Sequence, residues 1–157
     1  MRKTGGVFNE SHFQRGRDAD HPYLFFQGQC AAAMAFYGEI FGTTPALTPF
    51  GQIPSHPGTP ALRAEQQEWI IHAELRLPDG TTLMGADKPA QLGGAPQSGV
   101  SVALRFGDID EARAVFEQLS DGGAVASPFG ATFYSPGCGT TRDRYGTSWL
   151  VMTTESR

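Results

Sequence analysis

The sequence predicts an α+β fold: two βαβββ modules related by pseudo-twofold symmetry, forming a curved mixed sheet around a cavity, with the helices on its outer face. Three observations predict it. The stretch Leu24 to Gly42, LFFQGQCAAAMAFYGEIFG, aligns without a gap on Leu104 to Gly122, LRFGDIDEARAVFEQLSDG, at an offset of 80. Identities fall at Leu24/Leu104, Phe26/Phe106, Ala32/Ala112, Phe36/Phe116 and Gly42/Gly122. Downstream, aligning the turn glycines Gly80 and Gly146 puts Thr81 on Thr147, Leu83 on Trp149 and Met84 on Leu150, at an offset of 66. Two matched segments in one order define an internal repeat, and a repeat sets the architecture. Finally, neither half buries enough core at roughly 65–80 residues to stand alone, so the halves must share one.

Each element has its own signal. Residues 1–20 mix both charge signs without periodicity. They read as a flexible arm or, through Phe8 and Phe13, as an arm docking on a partner subunit. His21 to Phe26 reads as a strand broken by Gly28 and Gln29. Ala33, Phe36, Tyr37, Ile40 and Phe41 then recur at helical spacing, and Gly42 supplies a left-handed cap. Five of the eleven prolines fall in residues 43–66. Proline cannot donate to a ladder, so any strand here is short or at an edge. The two offsets differ by 80 − 66 = 14 residues, and this loop is where the first module would carry them. Residues 61–68 allow a helical turn or two, and a loop of this length suits a lid or an oligomer contact. Trp69 to Leu77 and Thr81 to Ala86 are strands joined by the Pro78-Asp79-Gly80 turn.

In the second half, Val100 to Phe106 is the strand. Asp108 with Glu111 forms a capping box, and Ile109, Ala112, Phe116 and Leu119 form the buried stripe. Gly122 or Gly123 caps that helix. Ala131 to Tyr134 reads as extended, Ser135-Pro136-Gly137 as a turn and Gly139 to Arg142 as a strand. Asp143 to Gly146 reads as a surface turn, and Thr147 to Thr153 as the last strand. The domain spans 21–153, with modules at about 21–88 and 99–153 and a tail at 154–157.

A net charge of −4 offers no basic field for nucleic acid, and no polybasic run suits a membrane surface. No apolar run approaches the roughly 20 residues of a membrane span, and the N-terminus lacks a signal-peptide core. The two cysteines, Cys30 and Cys138, match no zinc spacing. A cytoplasmic protein with reduced thiols is expected, and a Cys30–Cys138 disulfide stays open.

Strand alternation assigns the cavity face. Leu24 and Phe26 pack on the helix, so His21, Tyr23 and Phe25 point into the cavity, with Ser101, Ala103 and Arg105 as their counterparts. The closing strands add Thr82, Met84 and Ala86 against Ser148, Leu150 and Met152. In the strand from Trp69, the set Ile70, His72, Glu74 and Arg76 faces the cavity, and Trp69, Ile71, Ala73 and Leu75 pack under the helix. His72 is either a general acid/base tuned by Glu74 or Arg105, or a hydrogen-bonded lining histidine. Cys138 falls opposite His72 at offset 66. It is a nucleophilic thiol if the two approach across the pseudo-twofold, and otherwise a small buried thiol. Tyr134, Tyr23 and Phe25 form an aromatic wall or ordinary core.

The paired modules resemble the vicinal oxygen chelate superfamily, which includes glyoxalase I, extradiol dioxygenases and bleomycin- and fosfomycin-resistance proteins. Three segments resemble its PhnB-like branch: PYLFFQGQCAAAMAFYGEIFG, IIHAELRLPDGTTLMGAD and ATFYSPGCGTTRDRYGTSWLVM. The resemblance covers residues 21–153. Members of this branch are often labelled ubiquinone-biosynthesis methyltransferases, yet the sequence has no glycine-rich nucleotide loop. The superfamily's metal ligands, carried onto this chain, fall at His21, Met84, Ser101 and Leu150. Only His21 could bind a hard or borderline metal, so no metal site and no cofactor are expected. The resemblance implies a small-molecule-binding homodimer. The ligand would meet His21, Tyr23, Phe25, Met84, Ser101, Arg105, Tyr134, Leu150 and Met152. The alternative is a lyase, isomerase or dioxygenase-type enzyme acting through His72, Glu74 and Cys138. A weaker third reading is an interaction module acting through the proline-rich loop.

Overall fold

The structure is a computed structural model that describes residues 18–54, 57–58 and 61–154. The arm expected at 1–20 lies almost wholly outside the described residues. The first module runs β1 (Tyr23–Phe26), α1 (Cys30–Phe41), β2 (Ala46–Pro49), β3 (Ile70–Arg76) and β4 (Thr82–Asp87). The second runs β5 (Val102–Phe106), α2 (Ile109–Ser120), β6 (Ala124–Gly130), β7 (Cys138–Arg142) and β8 (Ser148–Thr153). Their hydrogen bonding forms two four-stranded sheets, ordered β1-β4-β3-β2 and β5-β8-β7-β6. The curved sheet expected from the sequence is therefore carried as two sheets, because each module's first strand ends its own ladder.

Sheet register confirms both offsets. Tyr23 pairs in parallel with Met84, and Ala103 with Leu150. Glu74 pairs antiparallel with Met84, and Thr140 with Leu150. The helices depart by one residue: Cys30–Phe41 matches Ile109–Ser120 at an offset of 79. Three residues, Gln27 to Gln29, join β1 to α1, whereas only Gly107 and Asp108 join β5 to α2. The identities at Ala32/Ala112 and Phe36/Phe116 are thus out of structural register. Ala32 is exposed while Ala112 is buried, and Tyr37 is the true counterpart of Phe116.

The extra residues of the first module lie between β2 and β3, where 50–69 replace the short 131–137 connection. Short 3₁₀ turns at Phe50–Gln52 and Ala64–Glu68 fill part of that segment. β2 is short and at an edge, as its prolines require. Strand β6 is a correction. The extended stretch expected at Ala131 to Tyr134 is a turn, and the strand is Ala124–Gly130. β6 is an edge strand holding Pro128, with register shifts at Val125/Ser127 and Ser127/Gly130, and its solvent-facing residues show no alternation. The end of α2 also differs. Asp121 is its C-cap, and Gly122, at φ 72°, makes the left-handed turn one residue later.

The core joins both modules: Leu24, Phe26, Met34, Tyr37, Leu75, Leu83, Phe116, Leu119, Trp149 and Val151 are buried in one cluster. Two buried carboxylates organise it. Asp87, 3% exposed, accepts from the backbone N–H of Gly28 (2.7 Å), Cys30 (3.0 Å) and Ile70 (2.9 Å). Asp143, 4% exposed, accepts from Tyr37 Oη (2.6 Å), Trp149 Nε1 (2.8 Å) and the N–H groups of Tyr145 (2.8 Å) and Thr147 (3.1 Å). The surface turn expected at Asp143 to Gly146 therefore needs correcting. Tyr37 of α1, from the other module, reaches the carboxylate, and the bond and burial it brings are invisible from the local turn. No helix among the described residues is long and apolar enough to cross a membrane.

Candidate functional site

The alternation in β1 is as the sequence requires. Leu24 and Phe26 are buried against α1, while Tyr23 and Phe25 stand on the opposite, open face at 42% and 44% exposure. β3 follows the expected alternation from His72 onward, with Ala73 and Leu75 buried and Glu74 and Arg76 exposed. Its start is a correction. Ile70, expected on the cavity face, is buried, and Ile71 is only half-buried. Pairing slips between Thr48↔His72 and Pro49↔Ile70, so Ile71 is an extra residue that flips the alternation below it.

Cross-strand pairing brings the polar residues of this face together. Tyr23 and Glu74 both pair with Met84, from opposite sides of β4. His72 lies two residues from Glu74 and shares its face. His72 Nε2 is 3.0 Å from Glu74 Oε1, and His72 Nδ1 is 3.0 Å from Tyr23 Oη. A carboxylate only accepts, so the imidazole proton sits on Nε2 and the bare Nδ1 accepts the tyrosine hydroxyl. Partial burial, with a smaller contribution from Cys30, raises the Tyr23 pKa and keeps the phenol protonated. Phe25 lies 5.2 Å from the Tyr23 ring, with Lys88 Nζ 5.4 Å from the Phe25 centroid. Aromatic area and a directed polar chain thus share one open surface. The link from Tyr23 to His72 escaped the sequence reading, although alternation had put both residues on one face. The signal that could have found it is the pairing of β1 and β3 on either side of β4.

The remaining expected residues are not part of that hydrogen-bonded chain. His21 is spent on structure: its Nδ1 accepts the Thr82 N–H at 3.3 Å, and its Nε2 lies 3.5 Å from Asp18. Ser101, Arg105, Leu150 and Met152 belong to the second sheet and its lead-in. Cys138 is the structural counterpart of His72, but the two stand in different sheets. Its sulfur is 3.4 Å from Tyr134 Oη, a bond that raises the Tyr134 pKa. Cys30 and Cys138 are both free and buried, so they form no disulfide. A cavity of about 490 Å³ lies between the modules and takes in Ile40, Phe41, Leu83, Leu104, Phe106 and Arg105. A smaller one of about 220 Å³ is walled by Tyr23 and Phe25 and by the linker around Gln97 and Ser98.

The superfamily's metal does not fit the side chains at its four positions. His21 has both nitrogens engaged, and Met84, Ser101 and Leu150 offer a thioether, a hydroxyl and a hydrocarbon. Among the described residues no group of three His, Cys, Asp or Glu side chains could hold a metal ion.

Residues 19–152 match the profile of the family described as 3-demethylubiquinone-9 3-methyltransferase. The crystal structure of PA1353 from Pseudomonas aeruginosa is 31% identical, at a TM-score of 0.77 over 87% of this chain and 98% of that one. The protein YjdN of Escherichia coli is 27% identical over 136 residues, 83% of this chain and 91% of its own. The PhnB protein from Bacillus cereus is 24% identical, at a TM-score of 0.68 over 87% and 100% of the two chains. A glyoxalase/bleomycin resistance/dioxygenase domain from Frankia, 14% identical at a TM-score of 0.58 over 88% and 98% of the two chains, shares the fold alone.

Backbone N–H groups at both helix starts are engaged within the chain. At α1 those of Gly28 and Cys30 are bound by Asp87, and at α2 that of Glu111 is bound by Asp108 at 2.8 Å. With the profile spanning both modules and the sheet registers repeating in each, the chain belongs to the family described as 3-demethylubiquinone-9 3-methyltransferase, on a fold shared with glyoxalase/bleomycin resistance/dioxygenase domains.

Proposed function

We propose that the protein binds a small planar organic molecule on the open face of the β1-β4-β3-β2 sheet, as a cytoplasmic homodimer whose second copy covers that face. The observation that carries this reading is the hydrogen-bonded Tyr23–His72–Glu74 chain beside the exposed Tyr23 and Phe25 rings. Binding sites combine apolar walls with a few convergent polar groups. The ligand's ring system stacks on Phe25 and Tyr23, and a donor or cationic group reaches the Glu74 oxygen that His72 leaves free. Phe133 and Tyr134, fully and 59% exposed on the second module, support coverage by another copy. The free thiols agree with a reducing compartment.

Ligand-observed NMR with a panel of planar aromatic fragments, some cationic, tests the site. Phe25→Ala is expected to weaken the best binder about 10-fold, roughly 1.4 kcal/mol. Undiminished binding by that variant would place the site elsewhere. Sedimentation velocity tests the assembly: a species of twice the 16.9 kDa chain is expected, and a monomer at micromolar concentration contradicts it.

A further inference from the structure

We propose that Tyr23, His72 and Glu74 form a proton relay, with Tyr23 Oη as the atom that takes a proton from a weak carbon acid bound on the open face. The inference rests on the binding reading above and adds chemistry to it.

The internal repeat shows what the fold itself requires. Register places Tyr23 opposite Ala103, His72 opposite Cys138 and Glu74 opposite Thr140 in the sister module. The same strands pair in the same way there without phenol, imidazole or carboxylate. The trio is therefore an addition to the scaffold. Stability does not account for it either. The His72 and Glu74 side chains are 42% and 49% exposed, and such pairs contribute about 0–1 kcal/mol.

The direction of every proton is fixed. Glu74 holds the Nε2–H tautomer, so Nδ1 is the basic atom, and it already receives the Tyr23 hydroxyl. That leaves a Tyr23 lone pair as the free end of the chain. A reacting group, a base and an orienting carboxylate linked at 3.0 Å each form the arrangement that acid–base catalysis needs.

The step balances without a further reactant. The substrate C–H bond breaks and its proton joins Tyr23 Oη. The Tyr23 O–H bond breaks in concert, and that proton joins His72 Nδ1. Glu74 stabilises the resulting imidazolium. The electron pair stays on the substrate as an enolate-like anion, and returning the proton to a neighbouring atom completes an isomerisation. The substrate class is a small planar carbonyl compound with an acidic C–H. Tyr23 is the catalytic residue, His72 stores the proton, and Glu74 is a positioning residue.

The test uses 5-nitrobenzisoxazole, a planar carbon acid whose ring C–H loss breaks its N–O bond and releases a coloured phenolate. Saturable turnover is expected. Tyr23→Phe and His72→Ala should each lower kcat at least about 10-fold, with KM changed less than about threefold. Their folding is checked by thermal melting, and the sister module's residues at these positions predict that both fold. For Glu74, the signature is the ¹⁵N spectrum of His72: a single Nε2–H tautomer in the native protein and a mixture in Glu74→Gln. Turnover by Tyr23→Phe at the native rate, or native turnover no faster than that of His72→Ala, overturns the relay, as does an unchanged tautomer in Glu74→Gln. The binding reading fails separately, if fragments bind Phe25→Ala as they bind the native protein.

Discussion

Replacing Asp143 with alanine is expected to destabilise the protein by about 3–5 kcal/mol, because four donors lose their shared buried acceptor at once. The carboxylate holds four donors: a phenol, an indole and two backbone N–H groups. Tyr37 and Trp149 are both fully buried. Without the acceptor, those donors stay dry and unpaired, at about 1–3 kcal/mol each before relaxation. Most of that sum relaxes away, and enough remains to consume much of a typical domain's 5–15 kcal/mol. The effect is also global. Tyr37 belongs to the first module and Asp143 to the second, so the bond between them ties the halves together. Burial, reinforced by Asp143, raises the Tyr37 pKa, so the phenol remains a donor at every pH the fold tolerates. Urea denaturation of Asp143→Ala should show a lower midpoint with a native-like slope. Asp143→Asn, which keeps one carbonyl oxygen, should lose less. A change under 1 kcal/mol for the alanine variant would mean that the turn is structurally idle.

Asp87→Ala is expected to cost about 2–4 kcal/mol for a different reason. Helix α1 starts at Cys30 after Gln29, whose side chain makes no capping bond. The N–H groups at its start are satisfied from a distance, by a carboxylate at the end of β4. Helix α2 carries its own cap in Asp108, and the residue matching Asp87 there is Thr153. The first module thus moved its cap from the loop to the sheet, and one side chain now fixes the β1–α1 turn and the start of β3 together. The substitution carries a second readout. Burial, then the nearby Asp87 charge, pushes the Cys30 thiol up to about 12. Native Cys30 should resist iodoacetamide at pH 8, because its reactive thiolate is scarce and buried. Asp87→Ala removes the charge, lowers that pKa and loosens the turn, so alkylation should accelerate. Equal alkylation rates in the two proteins would contradict the remote-cap account.

The parts of this fold that were legible in the sequence are those where local pattern and tertiary role coincide. Leu24 and Phe26 alternate with Tyr23 and Phe25, and the sheet uses both faces as the alternation demands. Asp108 caps the helix it precedes. Offsets of 80 and 66 reappear as strand register because a repeated strand pair must repeat its hydrogen bonds. Legibility fails where a distant element decides. Asp143 reads as a turn residue until Tyr37 arrives from the other module. Ile70 and Ile71 exchange faces because a bulge against Pro49 inserts one residue, and no alternation rule locates a bulge. Strand β6 is hidden because Pro128 and an exposed edge leave no period to read. For the site, alternation placed Tyr23, His72 and Glu74 on one face. The Tyr23–His72 bond spans 49 residues in sequence and needs the sheet order to be seen. The expected pairing of Cys138 with His72 is not among the bonds of either side chain: His72 bonds Tyr23 and Glu74, and Cys138 bonds Tyr134.

If the open face of the first sheet is the ligand face, a bound aromatic ring perturbs the residues of that face first. Chemical-shift mapping with the tightest aromatic fragment tests it most directly. Shifts are expected to cluster on Tyr23, Phe25, His72, Glu74 and Met84. Shifts centred on Ile40, Phe41, Leu104 and Phe106, the lining of the larger cavity between the modules, would contradict it.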